Sequence, residues 1–155
     1  MKNYQIDDLG NKRVLTIDGK VYSTNHSKEI IELIIERKGL ERTPRFLTHK
    51  EVRGELLSPL FNYLSLHKLK GLKVLEVGCS ACHFTELLQE QQDIAEIYCY
   101  DIDKLFIDIA RIKIKELELS KVKRVDCFSV QETSNLPYEN DFFDLILVSA
   151  VLEHL

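Results

Sequence analysis

At 155 residues the chain can form one domain that buries roughly two thirds of its unfolded surface, and 45% hydrophobic with 30% charged residues is an ordinary globular composition. A net charge of −4 and a pI of about 5.8 give no electrostatic case for tight nucleic-acid binding. No run approaches the ~18 apolar residues that span a membrane, and Met1-Lys2-Asn3-Tyr4-Gln5 lacks the apolar segment of a signal peptide, so the expected location is cytoplasmic.

Residues 1–47 read as an N-terminal extension made of a hairpin and a helix. Val14-Leu15-Thr16-Ile17 and Lys20-Val21-Tyr22 flank Asp18-Gly19, a pair suited to a two-residue turn with positive φ. Lys28 to Lys38 reads as a helix with Ile30, Ile31, Ile34 and Ile35 inside, and Gly39 ends it. Thr43-Pro44 reads as loop. Thr48-His49-Lys50-Glu51 has the form of a capping box. The helix it opens carries Val52, Leu56, Leu60 and Leu64 on one face, and Ser58-Pro59 kinks or restarts it.

Residues 48–155 read as the α/β core. The apolar run Lys73-Val74-Leu75-Glu76-Val77 stops at Gly78, small residues follow, and a helical pattern opens through Phe84, Leu87 and Leu88. A strand, a small-residue turn and a helix in that order suit a nucleotide, because a ligand can approach the backbone closely. The glycine spacing is not that of a dinucleotide fingerprint, since Ser80 and His83 stand where glycines would be needed. A second strand, 95–100, ends at Asp101, 23 residues after Gly78. A carboxylate there can accept both ribose hydroxyls of a nucleoside lying across the strand ends. Asp103 reads as an N-cap. Lys104 to Leu119 alternates locally like a strand, but its length without Gly or Pro favours a helix. Further strands are expected at about 124–130 and at 143–149, the latter apolar enough to be covered on both faces.

The strand–turn Val74-Leu75-Glu76-Val77-Gly78-Cys79-Ser80-Ala81-Cys82 resembles the first motif of class I S-adenosylmethionine-dependent methyltransferases. Gly78 matches the first glycine, and Ser80 and Cys82 stand at the second and third. Tyr100-Asp101-Ile102-Asp103 resembles the family's ribose-binding segment. The passage from Glu132-Thr133 through Leu136-Pro137-Tyr138 to Phe143-Asp144-Leu145-Ile146 resembles its adenine-side loop and following strand. Val151-Leu152-Glu153-His154-Leu155 resembles the segment that faces the transferred methyl.

The resemblance implies a Rossmann-like methyltransferase core with strand order 3-2-1-4, and S-adenosylmethionine as cofactor. It implies cofactor contacts from Glu76, Gly78, Cys79, Ser80, Asp101, Ile102, Glu132 and Thr133, with the adenine amino group meeting the Glu132 side chain or, where the longer glutamate shifts the bond, the Thr133 backbone. His154 is the candidate catalytic base, with Glu153 as its orienter or alternative, and Asp144 is read as structural. Methyl transfer to a small-molecule acceptor follows as the expected activity.

The family's later strands are not in this sequence, so the core reads as truncated after its fourth strand. That strand would be an exposed edge unless a second copy or a partner chain covers it. Two other readings stand beside the enzyme: a non-catalytic cofactor-binding half-domain that needs a partner, and an NAD-type Rossmann enzyme. Cys79-x-x-Cys82 has the spacing of half a zinc site or a redox pair. Cys99 and Cys127 fall in expected buried strands and form no second close pair, so the cysteines read as small buried hydrophobes, with no metal.

Overall fold

The computed structural model describes residues 4–10, 12–47, 49–128, 135–149 and 151. The chain divides into two compact units, 1–51 and 52–155.

In the first unit, β1 (Tyr4–Asp8), β2 (Arg13–Ile17) and β3 (Lys20–Thr24) form an antiparallel sheet in that order. Asp18 (φ 48°) and Gly19 (φ 78°) make the turn between β2 and β3, so that Ile17 faces Lys20. Two positive φ values in succession match the right-handed twist of the paired strands. β1 is an addition to the expected hairpin. Its sequence, Tyr4-Gln5-Ile6-Asp7-Asp8, is mostly polar, and it becomes a strand by pairing with β2, Ile6 opposite Leu15. Helix α1 (Lys28–Lys38) starts at Ser27, whose hydroxyl accepts from Ile30 N, and buries Ile30, Ile31 and Ile34. The expected loop at Thr43-Pro44 is instead the start of a short helix, α2 (Thr43–Leu47). Proline is tolerated in a first helical turn because its missing N–H has no partner to lose.

The second unit holds most of α3 (His49–His67), then β4 (Leu72–Val77), α4 (His83–Gln89), β5 (Ile94–Asp101), α5 (Lys104–Glu116), β6 (Val122–Cys127) and β7 (Leu145–Val148). The four strands are parallel in the order β6-β5-β4-β7. β4 is paired on both edges, and Leu72, Val74, Leu75 and Glu76 are buried. The core joins Val74, Ile97 and Cys99 to Phe84 and Leu88 of α4, Ile107 and Ala110 of α5, and Leu57 and Leu64 of α3.

Three expectations need correction. The inward face of α3 is Leu57, Leu60, Phe61 and Leu64, at i, i+3, i+4 and i+7, whereas Leu56 is 65% exposed. Helix α3 runs from His49 to His67 with Pro59 inside it, so it does not restart there, and the capping residue Thr48 lies outside the described residues. β7 is not covered on both faces: Leu145 and Leu147 pack on the core, while Ile146 and Val148 are exposed among the described residues. Alternation along a strand sends successive side chains to opposite faces, so an apolar run does not guarantee two covers.

Among the described residues, no helix is long and apolar enough to cross a membrane.

Candidate functional site

β4 and β5 are parallel neighbours, so both end on the same side of the sheet. Gly78 N and Cys79 N both donate to the Tyr100 carbonyl, at 2.8 and 3.0 Å, which carries the pairing past the last residue of β4. The turn that follows places every second residue in the left-handed region: Gly78 at φ 72°, Ser80 at 50° and Cys82 at 57°. These are the three positions where the resembled motif has glycines. Left-handed backbone costs an L-residue on the order of 1–2 kcal/mol, so Ser80 and Cys82 are held there by their surroundings. At Gly78 space adds to conformation, since a Cβ would run into the Val151 side chain.

Asp101 ties this turn to β5. Its Oδ2 accepts from Ser80 N at 2.8 Å and its Oδ1 from Asp103 N at 2.9 Å. Each oxygen retains a lone pair, so the carboxylate can still accept hydroxyl donors. Ile102, beside it, is 66% exposed. Asp103 is the N-cap of α5, accepting from Leu105 N, as expected.

Glu76 is turned into the interior. It is 1% exposed, and Thr85 Oγ1 donates to its Oε2 at 2.5 Å while Oε1 is buried without a partner. Burial pushes its carboxyl up from 4.5 to about 8, helped by Cys82; Thr85, Arg53 and Lys113 pull the other way. Thr85 Oγ1 also lies 3.5 Å from Cys99 Sγ. Cys79, Cys82 and Cys99 are all buried, with their sulfurs within 4.8 Å of one another. Cys127, expected in a buried strand, is exposed at the end of β6.

Lys113 of α5 is buried as well. It is paired with Glu86, donates to Ala81 O at 3.0 Å and lies 3.4 Å from His83 Nδ1. Burial lowers its ammonium, and Glu86 opposes that shift. Lys113, Thr85 and the approach of Cys99 to the Cys79–Cys82 pair were missed in the sequence. The signal for Lys113 was a lysine within the apolar stripe Ile107, Ala110 and Ile114. For Cys99 it would have been strand register, which puts Glu76 opposite Cys99.

Before β7 the chain is pinned by aromatic rings. Tyr98 meets Tyr138, Phe142 and Phe143 edge-on at 5.3–5.7 Å, and Tyr138 Oη donates to Asp126 Oδ2 at 2.8 Å. Asp144 N donates to Lys73 O at 3.0 Å, and Asp144 Oδ2 accepts from Lys73 N at 2.8 Å. Asp144 therefore docks the start of β7 on β4, a structural role. Glu132, Thr133, Glu153 and His154 lie outside the described residues.

A family model described as "Methyltransferase domain" matches residues 75–155. No curated protein matches the chain. Among solved structures, a protein from Methanococcus maripaludis described as an S-adenosyl-L-methionine-dependent methyltransferase aligns at 20% identity over 76% of this chain and 52% of its own, with a TM-score of 0.53. The crystal structure of WbdD aligns at 23% identity over 66% of this chain and 22% of its own, with a TM-score of 0.54. A SAM-dependent methyltransferase from Aquifex aeolicus aligns at 22% identity over 52% of this chain and 41% of its own, with a TM-score of 0.44. At these identities the likeness to the first two is one of fold. The chain spans about half or less of the length of each.

Proposed function

The chain belongs to the methyltransferase-domain family, and on that premise we propose that it binds S-adenosylmethionine across the ends of β4 and β5 and directs the methyl group to a small-molecule acceptor. The observation that carries the reading is the bond from Ser80 N to Asp101 Oδ2, which fixes a left-handed turn of small residues against a carboxylate at the next strand end. The residues fit a nucleoside. Asp101 has lone pairs left for ribose hydroxyls, Gly78 and Ser80 present little side chain to an approaching ligand, and exposed Ile102 offers an apolar surface to a base. Cys79 contributes through its backbone in this reading, since its sulfur is buried. Glu76 supports the turn from beneath. Glu132 and Thr133 are proposed for the adenine edge.

When bound, the sulfonium supplies an activated methyl group, and no metal is required for that chemistry. The protein's part is to align nucleophile, methyl and sulfur in one line. His154 is proposed to take a proton from the acceptor, because histidine titrates near working pH, with Glu153 orienting it.

Calorimetric titration with S-adenosylhomocysteine tests the reading. We expect saturable binding that Asp101→Ala weakens by more than tenfold while circular dichroism shows both chains folded. A folded wild-type chain that takes up no ligand would overturn it.

A second reading, a cofactor-binding half that acts with a partner chain, is favoured by exposed Ile146 and Val148 on β7. Binding without turnover on any acceptor, together with self-association lost in Ile146→Lys, would support it.

A further inference from the structure

Three cysteines converge beneath the turn from three separate places in the fold. Cys79 directly follows β4 and Gly78, Cys82 stands at the N-cap position of α4, and Cys99 reaches across from β5. Their sulfurs lie within 4.8 Å of one another and all three side chains are buried. In a tetrahedral thiolate site with metal–sulfur bonds of ~2.3 Å the sulfurs stand ~3.8 Å apart, so the triangle needs to close by about 1 Å at most.

Cys82 is a costly choice for mere filling. It holds φ 57° with no capping bond from its side chain, in a conformation glycine adopts freely. A buried carboxyl stands one side chain further out. Glu76 Oε1 is fully buried without a partner, and its carboxyl is joined through Thr85 Oγ1 to Cys99.

We propose that Cys79, Cys82 and Cys99 form a three-thiolate site for a single thiophilic cation of the Zn2+ class. Thiolate sulfur selects such ions over hard ones. Binding releases the thiol protons to water and involves no electron transfer. The ion would fasten the turn, α4 and β5 to one another. This inference does not depend on the methyl-transfer reading, because it uses the buried sulfur of Cys79 and not its backbone, and the test involves no cofactor.

The test is titration of the reduced, chelator-treated full chain with Cd2+, followed by the ultraviolet thiolate-to-metal charge-transfer band, with Zn2+ as competitor. We expect one equivalent to bind, Zn2+ to displace it, and thermal stability to rise with either ion. Cys82→Gly suits the left-handed backbone and keeps the chain foldable; it and Cys99→Ala should each weaken binding by more than about 100-fold, since even supporting partners of metal ligands are worth that much. Cys127→Ser should leave the stoichiometry intact. The proposal is overturned if the folded wild-type chain, shown by thiol titration of a denatured sample to be fully reduced, gives no charge-transfer band. It is equally overturned if Cys82→Gly and Cys99→Ala bind as the wild type does.

Discussion

Lys113 Nζ, in the middle of α5, donates to the backbone carbonyl of Ala81 at 3.0 Å, and so a buried ammonium holds the far end of the turn that follows β4. The same nitrogen is paired with Glu86 of α4, and the two side chains are only 2% and 12% exposed. One residue of α5 thus sets the position of α4 and the turn together.

Removing that ammonium leaves the Glu86 carboxylate without its buried counter-charge. Breaking a buried pair from one side costs about 3–5 kcal/mol, while replacing both members with apolar groups costs much less. We therefore expect Lys113→Met to lower unfolding stability by that order in urea titration. Lys113→Met combined with Glu86→Leu should recover most of the loss. Equal losses in the single and double variants would show that packing, not charge pairing, sets the role of Lys113.

Glu76 gives the protein a pH dependence of known sign. Its folded-state carboxyl titrates at about 8 against 4.5 when unfolded, chiefly because it is buried. The folded chain therefore holds a proton through that window that the unfolded chain has released. Its stabilising share is fully present below about pH 4.5 and is lost as pH rises through about 8, a change on the order of a few kcal/mol. In the metal-free chain, Glu76→Gln keeps the shape without the charge and should flatten the decline. The expected reading is a variant more stable than wild type at pH 9 and similar to it at pH 5. Parallel curves for the two proteins would remove Glu76 as the cause.

What the sequence disclosed, and what it withheld, follows from the range of the interactions involved. β4, its turn and β5 were legible because each is marked locally: an apolar run, a glycine stop, an aspartate at the next strand end. Asp103 as a cap was legible for the same reason. β1 was not, since Tyr4-Gln5-Ile6-Asp7-Asp8 has no strand pattern of its own and depends on the register with β2. The face of α3 was misread by one position, because Leu56 and Leu57 are both leucine and only the packing partner distinguishes them. The meeting of Cys99 with Cys79 and Cys82 is a property of parallel register between β4 and β5, which no spacing along the chain records. Glycine spacing alone understated the turn, whose backbone keeps the left-handed pattern at Ser80 and Cys82 with other residues in place.

Tyr138 shows how the loop before β7 is fastened. Its hydroxyl donates to Asp126 Oδ2 at 2.8 Å, its ring meets Tyr98 and Phe143, and the Arg124 guanidinium lies 5.4 Å from its centroid. Burial and the Asp126 bond together hold its phenol well above the usual value. Tyr138→Phe removes the hydroxyl and keeps the ring, so it should cost about 1–2 kcal/mol, a hydrogen bond to a charged group. Tyr138→Ala should cost more, by the lost ring contacts, and should loosen the segment in hydrogen exchange. If Tyr138→Phe is as damaging as Tyr138→Ala, the bond to Asp126 and not the aromatic cluster holds the loop.

The last prediction concerns Gly78, where two separate causes can be told apart. The residue has φ 72°, and a Cβ there would meet the Val151 side chain. Gly78→Ala therefore combines backbone strain, on the order of 1–2 kcal/mol, with a steric clash. Val151→Ala removes the nearest methyl and should relieve the clash without touching the strain. We expect Gly78→Ala to destabilise by more than about 2 kcal/mol, and the double variant to be more stable than the sum of the two single changes predicts. The measurement is a double-mutant cycle by chemical denaturation. A coupling energy near zero would mean that the chain after β7 moves aside freely, and that only the left-handed backbone keeps glycine at this position.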